Sequence, residues 1–207
     1  MRLISHLRYP LDRVFSVSTR LPILRALQDN REGMSGRAIA REAGINHQSC
    51  AVAVNKLETL KLLQRQGSGK TQLIRLNFDN YIVKNLLLPL LRQEREFQKA
   101  LKREIVEVFR EDALSITLFG SAARAQDVPE SDIDLLLLVQ AHLKNKIQDK
   151  AITYCSVFMP RYGIRLSPII MTVGQARDRV RREDPLMKNI LYEGVDLLPK
   201  KLHNFIK

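Results

Sequence analysis

Two aspartates one residue apart, Asp132 and Asp134, stand at the entrance to an apolar run in the stretch LFGSAARAQDVPESDIDLLLLV, Leu118 to Val139. Ionised carboxylates in such a place are costly to desolvate unless something binds them. Residues two apart on a strand point to the same side. Asp132 and Asp134 are therefore expected to converge on one point, while Ile133 turns the other way into core. Ser131, which opens Ser-Asp-Ile-Asp, comes ten residues after Ser121 of a Gly120-Ser121 pair. That pair follows a short apolar strand, Leu114 to Gly120, and leads into AARAQ, which reads as a helix start. Backbone N–H groups at a helix start attract anions, and glycine permits a phosphate to approach closely. Two carboxylates beside a phosphate-binding turn make a hard-oxygen site suited to Mg²⁺ carrying a nucleoside triphosphate.

Neither a lone Gly-Ser nor a lone Asp-x-Asp is specific. The whole series of strand, Gly-Ser, helix start, ten residues and Asp-x-Asp on a second strand is far more so. It closely resembles the minimal nucleotidyltransferase domains of the DNA polymerase beta superfamily, including those of toxin–antitoxin modules, over about residues 92–198. The resemblance implies a small mixed sheet with flanking helices and Mg²⁺-dependent transfer of a nucleoside monophosphate, with pyrophosphate leaving. It implies further that Gly120, Ser121 and Arg124 hold the triphosphate, ATP foremost, and that Asp132 and Asp134 are the catalytic metal ligands.

The sequence departs from that family twice. Ala125 follows Arg124 where a glycine is common. More serious is the third carboxylate, expected on a later strand. The candidate strand is GIRLSPIIMT, after a helix across LKNKIQDKAITYCSVFM. Alternation sets Ile164, Leu166 and Ile170 on one face, with Arg165, Ser167 and Ile169 on the other. Ser167 then occupies the slot of the missing acid, and a hydroxyl is neither an anionic ligand nor a strong base. Asp127 and Glu130 are near in sequence but belong to a loop, which makes them poor substitutes. Beyond lie a basic helix with Arg177, Arg179, Arg181 and Arg182, a second helix from Asp184-Pro185, and a short terminal strand. Those arginines are expected to form mostly a solvated face, and Lys188 is a candidate phosphate contact.

The elements before residue 90 tell a second story. Of the formal net charge of +12, residues 1–90 hold +8, with Lys+Arg 14 against Asp+Glu 6. A basic domain points to a polyanion, most simply nucleic acid, or else to a solubilising surface. STRLPILRALQDN sets Leu21, Leu24 and Leu27 at helical spacing, with Pro22 tolerated in the first turn. SGRAIAREAG offers Ser35 as N-cap, Ile39 and Ala40 as buried stripe, and Gly44 as stop. NHQSCAVAVNKLETLKLL is a third helix capped by Asn46, with Cys50, Val54, Leu57 and Leu60 on one face and Gln48, Asn55, Lys56 and Thr59 opposite. Runs Leu62 to Gln66 and Thr71 to Asn77 flank the turn Gly67-Ser68-Gly69. This order, with IAREAGI and a Gly-rich wing, resembles the winged helix-turn-helix domains of bacterial transcription regulators over most of residues 13–80. The resemblance implies a third helix in the major groove, with Asn46, His47, Gln48, Asn55 and Lys56 reading bases and Arg65, Lys70 and Arg75 on phosphates. Its rival is a winged helix used for protein contacts or dimer packing.

Between the halves, NYIVKNLLLPLLRQEREFQKALKREIVEVFRED is helical in pattern. Pro89 is expected to end or kink one helix and let another start. Phe97, Leu101, Ile105 and Val108 then line one face. The Leu86 to Leu91 cluster covers a domain boundary or a homodimer seam, with burial inside the monomer the expectation. No run approaches the roughly 18 apolar residues of a membrane span, and the start lacks the apolar region of a secretory signal. Cys50 and Cys155 form no CxxC, so a reduced, cytoplasmic setting is expected, with both as core thiols.

The expected architecture is α+β, with a winged helix-turn-helix DNA-binding domain over 1–90 and a nucleotidyltransferase-like domain over 91–207. The expected function is Mg²⁺-dependent NMP transfer from NTP to a protein, RNA or small-molecule acceptor, coupled to duplex DNA binding. The alternative is a DNA-binding transcriptional regulator or antitoxin-like protein whose degenerate transferase domain only senses nucleotide or a partner. Ser167 favours the alternative, and the intact Gly-Ser and Asp-x-Asp favour the enzyme.

Overall fold

A computed structural model describes residues 10–67, 72–124, 126 and 131–206. The chain divides into two compact units, Met1–Gln98 and Lys99–Lys207, and its class is α+β.

In the first unit, helices α1 (Asp12–Phe15), α2 (Arg20–Leu27), α3 (Gly36–Glu42) and α4 (His47–Thr59) precede a hairpin of β1 (Leu63–Gln66) and β2 (Leu73–Leu76). Local chemistry sets the helix ends. The Ser35 hydroxyl accepts from Ala38 N at 3.3 Å and the Asn46 amide from Ser49 N at 2.8 Å, each satisfying one of the open N–H groups of a first turn. Gly44 ends α3 with φ +64. Ile23, Leu24, Leu27, Ile39, Cys50, Val54 and Leu57 close over the hairpin residues Leu63, Ile74 and Leu76 as one core. The sequence pattern missed a third edge: Met34 bridges Ile74 through two backbone bonds of 2.9 and 2.8 Å. Gly33 permits that approach. Its φ is +96, and a Cβ there would stand 3.0 Å from the Ile74 carbonyl oxygen.

One helical segment gives way to another beside Pro89, without a break between them. A π-helical turn, Val83–Leu87, runs directly into α5 (Leu88–Phe109), with Pro89 as its second residue. Widening the ladder there accommodates a ring that would otherwise crowd the carbonyl of Asn85. Leu87, Leu88 and Leu91 are buried in the first core, as expected of the leucine cluster, while Leu86 and Leu90 stay largely exposed. Phe97, expected on the buried face of this helix, is exposed instead; Leu101, Ile105 and Phe109 take that role in the second unit.

The second unit is a four-stranded mixed sheet in the order β5-β4-β3-β6. Its strands are β3 (Ala113–Phe119), β4 (Ile133–Val139), β5 (Leu166–Thr172) and β6 (Val195–Asp196). β4 lies antiparallel to β3 and parallel to β5. The crossover from β4 to β5 is α7 (Lys144–Tyr162), and α6 (Gly120–Ala123) follows β3. After β5 come α8 (Val173–Arg181) and α9 (Pro185–Glu193), and α10 (His203–Ile206) follows β6. Odd-numbered β4 residues, Ile133, Leu135, Leu137 and Val139, pack with Ile105, Phe109, Ile147 and Phe158. The even ones, Leu136 and Leu138, pack with Ala176, Met187 and Ile190. A strand covered on both faces reads as a continuous apolar run. Burial of each such leucine contributes about 1.5–3 kcal/mol. This strand is the rigid rail on which the aspartates sit.

Candidate active site and nucleic-acid face

The sheet places the sequence motif as its spacing predicts. β3 ends at Phe119, the register partner of Asp134, and the chain turns at Gly120. Gly120 has φ +73, and a Cβ on it would lie 2.4 Å from Asp134 Oδ2. Both facts demand glycine: left-handed backbone disfavours a side chain, and the aspartate fills the space a side chain would take. The Gly-Ser turn and the Asp134 carboxylate are thus packed against each other. Ser121 is half-buried beside them.

Asp132 sits just before β4, on the same side as Asp134, and both are half-buried. Across the parallel pair, Asp134 is in register with Ser167. The Ser167 hydroxyl donates to Asp132 Oδ2 at 3.0 Å. Arg165 brings its Nε to 3.8 Å from Asp132 Oδ1. The alternation that put Ser167 beside both aspartates therefore holds in three dimensions. Arg165 was seen in the sequence only as a strand residue, and its parity with Ser167 was the signal that it faces the same centre. Burial pushes the Asp134 carboxyl above the usual carboxylate range, and the negative charge of Asp132 pushes it in the same direction.

Arg124 pairs with Glu193 at the end of α9, and its Nε donates to Gln126 Oε1 at 3.1 Å. Ala125, Asp127 and Glu130 lie outside the described residues. Among the described residues, no group of three or more His, Cys, Asp or Glu is placed to hold a metal. The α8 arginines are engaged locally: Arg177 bonds the Phe205 carbonyl at 3.1 Å, Arg179 faces Asp184 and Arg181 faces Asp178, each at 3.4 Å. Lys188, a candidate phosphate contact in the sequence, pairs with Glu183 at 3.0 Å.

In the first unit, α4 exposes Gln48, Asn55, Lys56 and Thr59 together, as its periodicity requires; Asn46 and His47 are exposed at its start. Two features were overlooked. Val52 is 68% exposed in the middle of this polar face. Arg65, on β1, is not a free wing cation: Nε bonds Glu58 at 2.8 Å and Nη2 bonds Asn55 Oδ1 at 2.7 Å. It ties the hairpin to α4. Arg75 lies against the side-chain amides of Gln64 and Gln66 on the paired strand. Lys70, Ser68, Gly69 and Thr71 lie outside the described residues.

Comparison with known proteins agrees with both units. Residues 18–72 match the model of the MarR family, and residues 99–199 match that of the nucleotidyltransferase domain. Two curated putative protein adenylyltransferases of Methanocaldococcus jannaschii are similar. One is 38% identical over 86 residues, covering 40% of this chain and 56% of that protein. The other is 36% identical over 75 residues, covering 36% of this chain and 76% of that protein. The chain thus spans just over half of the first relative and three quarters of the second. A solved structure described as a toxin-antitoxin with AMP-PNP aligns at a TM-score of 0.32 and 12% identity, over 50% of this chain and 77% of that one. That likeness is too slight to transfer fold or ligand. The chain belongs to the nucleotidyltransferase family, with a winged helix-turn-helix of the MarR family ahead of its nucleotidyltransferase domain.

Proposed function

We propose that the second unit transfers AMP from Mg²⁺-ATP to a hydroxyl of a protein acceptor, and that the first unit carries this activity to duplex DNA. The observation behind the transferase reading is the packing of Gly120 against Asp134 with Asp132 on the same side. It sets a glycine turn, able to approach phosphate closely, beside two hard-oxygen donors. The donor set suits Mg²⁺: two carboxylates, one pushed up by burial and by its neighbour's charge, are groups that a divalent cation would relieve. Asp132 and Asp134 would hold the ion, which polarises phosphate oxygens and neutralises charge as the bond breaks.

Gly120 and Ser121 would receive the triphosphate, with Arg124 at the edge of the turn. The acceptor oxygen forms a bond to the α-phosphorus, and the bond to the bridging oxygen breaks. Pyrophosphate leaves with the electron pair, and the acceptor proton passes to water. Without a third carboxylate at Ser167, the general-base contribution of about 10² to 10⁴ in rate is lost, so transfer is slow. The choice of a protein acceptor follows the two relatives, both named as putative protein adenylyltransferases.

For the first unit, the exposed face of α4 supports major-groove reading by Gln48 and Lys56, with Asn46 and His47 at the helix start and the exposed Val52 against a thymine methyl. Arg75 and Lys70 would contact phosphates, while Asn55 and Arg65 hold the wing to the helix. The rival reading, a DNA-binding regulator that only senses nucleotide, is favoured by Ser167 alone. Titration calorimetry with Mg²⁺-ATP tests the common core of both. Binding that needs Mg²⁺ and disappears in the Asp132→Asn/Asp134→Asn double variant is expected. Equal affinity in both proteins would give the aspartates a structural role and end the proposal.

A further inference from the structure

We infer that this site takes one metal ion rather than two, and that Arg165 supplies, on the acceptor side, the positive charge a second ion would bring. The inference rests on the metal–nucleotide reading above and goes beyond it. The two carboxylates face different neighbours. Asp134 turns its Oδ2 against Gly120, where the triphosphate would lie. Asp132 turns toward β5: Ser167 donates to its Oδ2 at 3.0 Å, and Arg165 Nε stands 3.8 Å from its Oδ1.

A first ion would be shared by Asp132 and Asp134 on the Gly120 side. A second ion, about 3.5–4 Å from the first as in two-metal sites, would need an anion at position 167. It finds there a hydroxyl whose proton already points at Asp132. It would also meet the guanidinium of Arg165, always charged and repelling a cation. That side chain is 68% exposed, so it is free to turn from Asp132 to a phosphate oxygen without leaving a buried charge behind. Arginine suits this task because its planar fork matches phosphate oxygens in pairs. Two features at the start of β5, a missing acid and a cation two residues before it, thus become one device.

Electron paramagnetic resonance with Mn²⁺ and a non-hydrolysable ATP analogue counts the ions. The full chain should bind one Mn²⁺ with the analogue and show an uncoupled signal. The Arg165→Met/Ser167→Asp double variant should bind two, with the exchange-coupled signal of neighbouring ions. Arg165→Met alone should keep the count at one and slow transfer about 10–100-fold, the size of a lost charge-assisted hydrogen bond. Arg165→Lys should recover part of that loss. Two coupled ions in the unaltered chain would overturn the inference, and that is also what a third carboxylate from residues 127–130 would produce. No bound Mn²⁺ at all would overturn the metal–nucleotide reading itself, and this inference with it.

Discussion

Gly120 and Asp134 are locked to one another: β3 ends so close to β4 that a Cβ at position 120 would stand 2.4 Å from Asp134 Oδ2. The same glycine adopts φ +73. Gly120→Ala therefore combines a left-handed backbone cost of about 1–2 kcal/mol with displacement of the carboxylate. Denaturant unfolding should show a loss of at least that size, and Mg²⁺-dependent nucleotide binding should vanish. A variant that binds nucleotide as the original chain does would contradict the packing of turn against carboxylate.

Asp134→Asn should act in opposite directions on stability and binding. The carboxylate is held in partial burial beside Asp132, so removing its charge relieves both desolvation and repulsion. Without metal, Tm of the second unit at neutral pH should rise. With Mg²⁺ and nucleotide, the original chain should gain further and the variant should not. A lower Tm without metal would mean that the carboxylate stabilises the fold.

Much of this centre was legible in the sequence because strand parity is rigid. Asp132, Asp134 and Ser167 were brought together by counting in twos, and the apolar run LLLL read as a strand, whose cover on both faces appears only in the packed sheet. Arg165 had the right parity but no motif to mark it. Val52 was overlooked for a different reason: the spacing that turns Cys50, Val54 and Leu57 inward already puts position 52 beside Gln48 and Lys56, but an apolar residue on a helix is ordinarily assigned to the core. Pro89 marked where one helical segment gives way to the next, but the rule it follows concerns an α-helical ladder and did not foretell the π turn before it. Arg65 was read as a phosphate contact because Glu58 and Asn55, seven and ten residues away, are far in sequence and adjacent only once the hairpin folds onto α4.

On the DNA side, Arg65 and Arg75 should behave differently. Arg75→Ala should lower the slope of log affinity against log salt by about 0.9, the signature of one lost phosphate contact. Arg65→Ala should weaken binding to every sequence with little change of slope, because Arg65 is bonded to Glu58 and Asn55. Filter binding over a range of salt measures both. A slope change for Arg65→Ala equal to that of Arg75→Ala would make Arg65 a phosphate contact after all.

Asp112 anchors the start of α7 to the turn before β3, with Lys146 at 2.7 Å and Lys150 at 3.1 Å. These ammonium groups hold its carboxyl below the usual carboxylate range. A depressed folded pKa gives stability that is present above the unfolded value, about 3.9, and is lost as pH falls through the folded one. Asp112→Asn should lower Tm at pH 7 and make Tm less sensitive to pH below about 4. Thermal melts from pH 7 down to the acid limb would show this, and parallel curves for the two proteins would contradict it.

The central claim is that Asp132 and Asp134, gathered at the Gly120-Ser121 turn, support nucleotidyl transfer. Incubation of the full chain and candidate protein acceptors with ATP labelled at either the α- or the γ-phosphate tests it most directly. The account predicts slow, Mg²⁺-dependent, covalent labelling of protein from the α-label alone, with pyrophosphate released, and none from the Asp132→Asn/Asp134→Asn variant. Labelling from the γ-phosphate, or α-labelling that survives loss of both aspartates, would contradict it.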